Sequence, residues 1–309
     1  MKIFVLAPRE NWICDRIADE WKRNVGDIST DNIGEADVIW LLAGWCWNHV
    51  PQQLLSAKKV VLTVHHIVPE KFDHKKYQEF IFRDQFVDVY HVPNSKTENL
   101  LSQLTKKPIK VLSYWLNDDL WYNVDKKKAR ERLEIDSKLF CVTSIQRDTE
   151  GYDLKTPKLE KGPDLFCDYI IKNRDRFDNL HVLLGGWRRQ YVQFRLDESN
   201  IPYTLFEKEE IEKVRDIYAS SDLYIVSSRQ EGGPQAVIEC AAMKIPIIST
   251  DVGIASNVLS KNSVFDITEK FYMPTDEDVK INFENVQNLR LELHGKEFID
   301  LFTSLNNQG

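Results

Sequence analysis

The chain has few cysteines, and none of them is in a metal-binding spacing. Cys14, Cys46, Cys141, Cys167 and Cys240 are scattered over 309 residues, and no Cys-x-x-Cys occurs. An odd, dispersed set excludes a disulfide framework and a zinc knuckle; no metal site is expected. Small, buried, reduced thiols in a reducing, cytoplasmic compartment are expected instead. No apolar run approaches the roughly 20 residues that span a bilayer, so no transmembrane segment is expected. Met1-Lys-Ile-Phe-Val-Leu-Ala-Pro8 breaks off too soon for a signal peptide and reads as a first strand. No Gly-x-Gly-x-x-Gly follows that strand, which argues against an NAD-dependent enzyme. Positive charge is not in excess either: Lys+Arg is 41 against Asp+Glu 48. That argues against a nucleic-acid partner needing a broad basic face, and leaves room for a small basic patch that touches anionic lipid, in peripheral contact with a membrane, or a phosphorylated acceptor.

What is present has a globular composition. Hydrophobic residues make up 42% and charged residues 29%, and the length suffices for two medium domains. Strands are expected over 3–7, 36–43, 60–64, 87–92 and 109–113, and helices over 11–24, 72–86 and 95–104. The last helix has Ser95 as its cap and Glu98 three residues on. The polar stretch 117–132 reads as an inter-domain connection, with Lys126-Lys127-Lys128 in a solvated loop. Strands then resume over 139–145, 180–184, 203–206, 222–227 and 246–249, with an edge at 263–266 and a helical tail over 283–305. Apolar strands separated by helices imply parallel sheets covered on both faces. The expected fold is α/β, with Rossmann-like domains over 1–118 and 119–282 facing across a cleft and a tail over 283–309. Open parallel sheets bind ligands at the carboxyl ends of their strands.

One segment carries the chemistry: Ser228-Arg-Gln-Glu231-Gly-Gly-Pro-Gln-Ala-Val-Ile-Glu239-Cys-Ala-Ala-Met243. It follows the apolar run Asp222-Leu-Tyr-Ile-Val-Ser227. Gly232 and Gly233 give a side-chain-free turn. Pro234 suits the first position of a helix, where its missing N–H costs nothing. A helix start offers free N–H groups and partial positive charge, which suit a phosphate. Glu231 and Glu239 would repel a phosphate but can accept from hydroxyls. Backbone for phosphate and carboxylates for hydroxyls together suit a sugar nucleotide. Arg147 follows the first strand of the second half, and Lys161 precedes its first helix. Both emerge at the ligand edge, where fixed cations stabilise a departing diphosphate.

The segment resembles the Glu-x7-Glu motif of the family 4 retaining glycosyltransferases, which have the GT-B fold of two Rossmann domains. The resemblance includes the later Ile245-Pro-Ile-Ile-Ser-Thr-Asp-Val-Gly253. It is strongest over 139–266, moderate over 60–118 and weak elsewhere. It implies a metal-independent, retaining transfer from a nucleotide-diphosphate sugar to a hydroxyl acceptor on a glycan or glycolipid, with no cofactor. Arg147 and Lys161 then hold the diphosphate, Glu239 the ribose and Glu231 the donor sugar. Gly232, Gly233, Pro234, Gln235 and Ala236 bring the backbone close to the phosphate and sugar. Leu62-Thr-Val-His-His-Ile-Val-Pro69 is similar to the family's Thr-Val-His-Asp segment, which turns His65, or its neighbour His66, toward the sugar.

Several positions depart from the family's pattern. Pro8-Arg-Glu-Asn-Trp12 replaces the usual Gly-Gly loop, leaving Arg9 or Asn11 to take its place. Gln146 stands where relatives tend to have Gly, and the 147–161 loop is longer than usual. Ser113-Tyr-Trp-Leu-Asn117 replaces a Pro-Asn-Gly turn. Asn11, Trp12 and Trp45 are the candidate acceptor contacts. The rings of Trp12, Trp45 and Trp47 either stack on an acceptor sugar or pack in a core. A nucleotide-sugar-binding protein without transfer, and a sugar-nucleotide hydrolase or epimerase, are the alternatives.

Overall fold

The computed structural model describes residues 1–10 and 13–307. The chain forms two compact units, one of Met1–Trp115 with Leu289–Gly309 and the other of Leu116–Asn288. Unit 1 contains β1 Ile3–Leu6, α1 Ile13–Asn24, β2 Val38–Leu41, α2 Gln52–Ala57, β3 Lys59–Thr63, α3 His74–Asp84, β4 Val89–Val92, α4 Ser95–Leu101 and β5 Ile109–Val111. Unit 2 contains α5 Lys126–Arg132, β6 Phe140–Ile145, α6 Pro163–Asn173, β7 Leu180–Gly185, α7 Gln190–Glu198, β8 Tyr203–Phe206, α8 Ile211–Ala219, β9 Leu223–Val226, α9 Gln235–Ala242, β10 Ile247–Ser249, α10 Ala255–Val258 and α11 Asp276–Asn285. The last helix, α12 Leu291–Asn306, belongs to unit 1.

Each unit has a five-stranded sheet, ordered β1-β2-β3-β4-β5 in unit 1 and β10-β9-β6-β7-β8 in unit 2. Every strand pair is parallel. In unit 1 a parallel bridge from Ser29 to Ile3 flanks β1 on its outer side, so the chain reverses its winding there. The expected 263–266 edge is likewise a single parallel bridge, Val264 to Ser249.

Alternation along β2 decides what covers each face of the first sheet. Ile39 and Leu41 join the apolar cluster of Val60, Leu62, Phe80 and Tyr90. Trp40, between them, meets Trp21 of α1 at 5.4 Å and Phe302 and Phe298 of α12 at 5.2 and 5.5 Å. In unit 2, Val142, Val182, Leu184, Leu223 and Ile225 pack with Phe166, Ile170 and Leu196. Cys141 and Leu183 face the opposite side, with Ile135, Phe206 and Ile217. All five cysteines are free and buried, and burial pushes the Cys14 thiol up to about 12.

Two local expectations need correcting. Asn94, not Ser95, caps α4, accepting from Thr97 N–H at 2.8 Å. Either residue type makes a good cap, and the strand end places Asn94 there. The 117–132 stretch is not simply a connection, because Lys126, Lys127 and Lys128 form the first turn of α5. Asp125 caps it, and buried Arg130 donates to Ser220 O at 2.9 Å and to Asp222 at 2.6 Å. This helix docks largely through guanidinium hydrogen bonds, which leaves little apolar periodicity to read.

Candidate active site

The site grows out of the order of the second sheet. Winding reverses at β6, which has β7 on one side and β9 on the other. Such a reversal opens a crevice at the carboxyl ends of the two strands. Here β6 and β9 pair only at Val142–Leu223 and Thr143–Tyr224. Beyond that, Ile145 N–H donates 3.0 Å to the Tyr224 hydroxyl, which stands in for a ladder bond.

Glycine lets the loop before α6 reach this crevice. Gly162 has φ of +59°, and a Cβ there would overlap the Ser227 carbonyl at the end of β9. Arg229 and Gln230 donate through their backbone N–H groups to Glu160 O at 2.8 and 3.0 Å, fastening the two loops together. As a result Lys161 Nζ bonds Glu231 Oε1, both side chains being mostly buried. Ser228 Oγ also donates to Glu231 Oε1, at 3.2 Å. Arg229 closes the outside, its guanidinium forked onto Asp164 at 2.7 and 2.6 Å.

The Glu231–Pro234 turn rests on the segment after β10. Thr250 Oγ1 donates to Ser228 O at 2.5 Å. Gly253, with φ of +54°, lies so close that a Cβ would stand 2.6 Å from Gly232 O. Pro234 occupies the N-cap of α9 instead of its first turn, and no side chain caps this helix. Gln235 and Ala236 thus open a helix with no acidic residue in its first turn, an arrangement suited to an anion. Glu239 lies one turn further on and is 3% exposed. It accepts from the Tyr218 hydroxyl at 2.8 Å. Burial, and then the adjacent carboxylate, hold that phenol well above its usual range. Tyr218 and Tyr224 were not legible as site residues, because each looks like an ordinary core aromatic in sequence.

Arg147 stands at the end of β6. Its Nε donates to Thr149 O at 3.1 Å, and its guanidinium lies over Trp187, 5.2 Å from the ring centroid. Asp148 and Arg189 form a fully buried ion pair at 2.7 Å. Arg189 also donates to Ser144 O and Gly185 O, both at 2.6 Å, so one guanidinium ties the ends of β6 and β7 together. The long 147–161 loop is a short hairpin: Thr149 bridges Pro157, and Lys158 N–H donates to Asp148 O at 2.8 Å.

Arg147, Lys161, Glu231 and Glu239 therefore all belong to unit 2, and Lys161 and Glu231 are in contact. His65, Trp45 and Trp47 belong to unit 1. His65 is hydrogen-bonded through both ring nitrogens, Nε2 to Leu42 O at 2.6 Å and Nδ1 to the Tyr114 hydroxyl. Trp45 is exposed, whereas Trp47 packs on Phe82 and Phe86 at 5.4 and 6.4 Å. Arg9 has φ of +59°. It helps line a cleft of about 420 Å³ at the end of β1, with Leu6, Pro8, Ile33 and His49. Asn11 and Trp12 lie outside the described residues. Among the described residues no group of three His, Cys, Asp or Glu is placed to hold a metal ion, and no helix is long and apolar enough to cross a membrane.

Comparison with known proteins bears on part of unit 2 and on the fold. Residues 154–278 match the family model described as Glycosyl transferases group 1. A 50-residue stretch is 42% identical to TuaC of Bacillus subtilis (strain 168), a protein named for a glycosyltransferase role in teichuronic acid biosynthesis. That match spans 16% of this chain and only 13% of TuaC. The structure is similar to Anabaena HepE crystallised with UDP and glucose, with a TM-score of 0.75 and 12% identity over 98% of this chain and 100% of that one. It also resembles sucrose-phosphate synthase of Thermosynechococcus elongatus, at 0.69 and 16% over 98% and 81%. With its two five-stranded parallel sheets, the chain has the GT-B fold.

Proposed function

We propose that the chain is a metal-independent, retaining glycosyltransferase of the family 4 type, using a nucleotide-diphosphate sugar and a hydroxyl acceptor on a glycan or glycolipid. One observation carries this reading: Lys161 and Glu231 meet at the β6–β9 crevice, beside a glycine turn that opens an uncapped helix. The match of residues 154–278 to Glycosyl transferases group 1 supports the coarser assignment. In this reading Arg147, Lys161 and the amides around Gly232, Gly233, Gln235 and Ala236 hold the diphosphate. Glu239 holds the ribose and Glu231 the donor sugar. Fixed cations and amides stabilise the charge that develops on the departing diphosphate. The acceptor hydroxyl attacks from the face the diphosphate leaves, and the β-phosphate oxygen takes its proton. The assignment of His65 to the donor sugar, and of Asn11, Trp12 and Trp45 to the acceptor, belongs to the same proposal.

Thermal shift against UDP-, GDP- and ADP-sugars identifies the donor, since a ligand raises apparent stability with its concentration over Kd. Transfer to a hydroxyl acceptor is then followed with NMR of the product anomer. Retention is expected, with Lys161→Ala and Glu231→Ala folded and at least about 100-fold slower. Inversion would sink the mechanism, and wild-type turnover in either variant would sink the site. Nucleotide-sugar binding with no transfer would favour the binding-protein reading, which the altered Pro8–Trp12 loop motivates. Release of free sugar without acceptor would favour a hydrolase.

A further inference from the structure

Charge balance leaves the diphosphate reading short of cations. Lys161 is tied to Glu231, so the pair brings little net charge to the crevice. Of the four charged residues read from the sequence, Arg147 is the one other cation, against two ionised phosphoryl groups. Unit 2 supplies more cations next to it. Arg147, Lys208 and Arg188 all stand over one ring, Trp187, at 5.2, 5.4 and 5.6 Å from its centroid. They come from the carboxyl ends of three neighbouring strands: Arg147 follows β6, Trp187 and Arg188 follow β7, and Lys208 follows β8.

Gathering like charges this way is unfavourable unless something offsets it. The indole face offsets part. Among the described residues no acidic side chain forms an ion pair with Arg188 or Lys208. Arg188 Nε is buried with no hydrogen-bond partner. The backbone is also strained at both residues, φ being +60° at Arg188 and +56° at Lys208. Non-glycine residues in that region are costly and cluster where ligands bind. Gly186, with φ of +95°, lets this corner close onto the Gln146 carbonyl, which a Cβ would meet at 2.6 Å.

Resting on the proposed donor site, we propose that Trp187, Arg188 and Lys208 form its second cationic wall, recognising the diphosphate of a nucleotide together with Arg147. Trp187 acts as a scaffold for the cations, since its ring already carries them. On binding, Lys161 exchanges Glu231 for a phosphate oxygen while Glu231 turns to the sugar hydroxyls.

Calorimetric titration of the full chain with UDP, UMP and uridine, or the GDP or ADP series if those bind, tests this. Lys208 and Trp187 are exposed, so Lys208→Gln and Trp187→Leu are expected to fold with unchanged Tm. Each variant, and Arg188→Gln, should bind the diphosphate roughly 3- to 10-fold more weakly at low salt, with a shallower salt dependence. Uridine binding should not change, and Trp187→Phe should recover most of the loss. UDP affinity and salt dependence equal to wild type in Lys208→Gln and Arg188→Gln would overturn this inference and leave the donor site standing. A wild-type chain that binds no nucleoside diphosphate would overturn both.

Discussion

The two units share an architecture but are held together by different means. Unit 1 closes the Trp40 face of its sheet with aromatic rings: Trp21, Trp40, Trp115, Phe298 and Phe302 lie within 5.2–6.4 Å of one another in the contacts they make. Unit 2 holds the carboxyl edge of its sheet with buried or half-buried ion pairs, Arg189–Asp148 and Lys161–Glu231, and with glycines in close backbone approach. An aromatic wall stabilises by buried area. An edge built from cations, amides and bare glycine backbone costs desolvation, and an anion returns that cost on binding. The difference is the contrast on which the proposed donor site in unit 2 rests.

Three experiments break or sharpen this contrast. The largest effects should come from one deletion in each unit. Phe302→Ala, at a fully buried ring, should cost roughly 3–5 kcal/mol. Arg189→Ala should cost a similar amount, roughly 3–5 kcal/mol, because it strands a buried Asp148 carboxylate. Urea unfolding measures both. The units part company in the rescue: pairing Arg189→Met with Asp148→Leu should restore most of the loss, while no second change rescues the cavity at Phe302. If the double variant is as unstable as Arg189→Ala, the pair is not separable from its carbonyl contacts.

A smaller loss, roughly 2–4 kcal/mol, is expected for Gly162→Ala, which meets both the positive φ and the Ser227 carbonyl. Nucleotide binding should fall with it, since Lys161 adjoins this glycine. Unchanged stability and binding would show that the loop's position does not depend on that approach.

The third effect is confined to unit 1 and to acid. Burial, above all, lowers the His91 ring to about 4 from its ordinary 6.5, and the neutral ring is held by Thr63 at 2.9 Å and Leu112 O at 2.8 Å. A depressed pKa contributes stability that is present above pH 6.5 and lost as pH falls toward 4. Thermal unfolding of wild type should therefore weaken across that window, and His91→Gln should flatten the slope. An equal slope in the variant would assign the acid loss to other groups.

Two features were legible in the sequence for local reasons. Apolar runs of strand length, separated by helices, require parallel sheets with both faces covered, whatever the detailed packing. Glu231, the glycine turn and Glu239 sit within one strand–turn–helix unit, so their spacing follows from local geometry. Arg147 and Lys161 were likewise legible from their places after a strand and before a helix. What only the tertiary structure decided depends on residues far apart in the chain. The order of β6, β7, β8 and β9 brings Lys161 to Glu231, Arg189 to Asp148, and Arg147 and Lys208 to Trp187, while α8 and α9, on either side of β9 in the chain, bring Tyr218 to Glu239. None of these pairs has a periodicity to read, because each joins residues that crossover connections bring together, not any repeat along the chain.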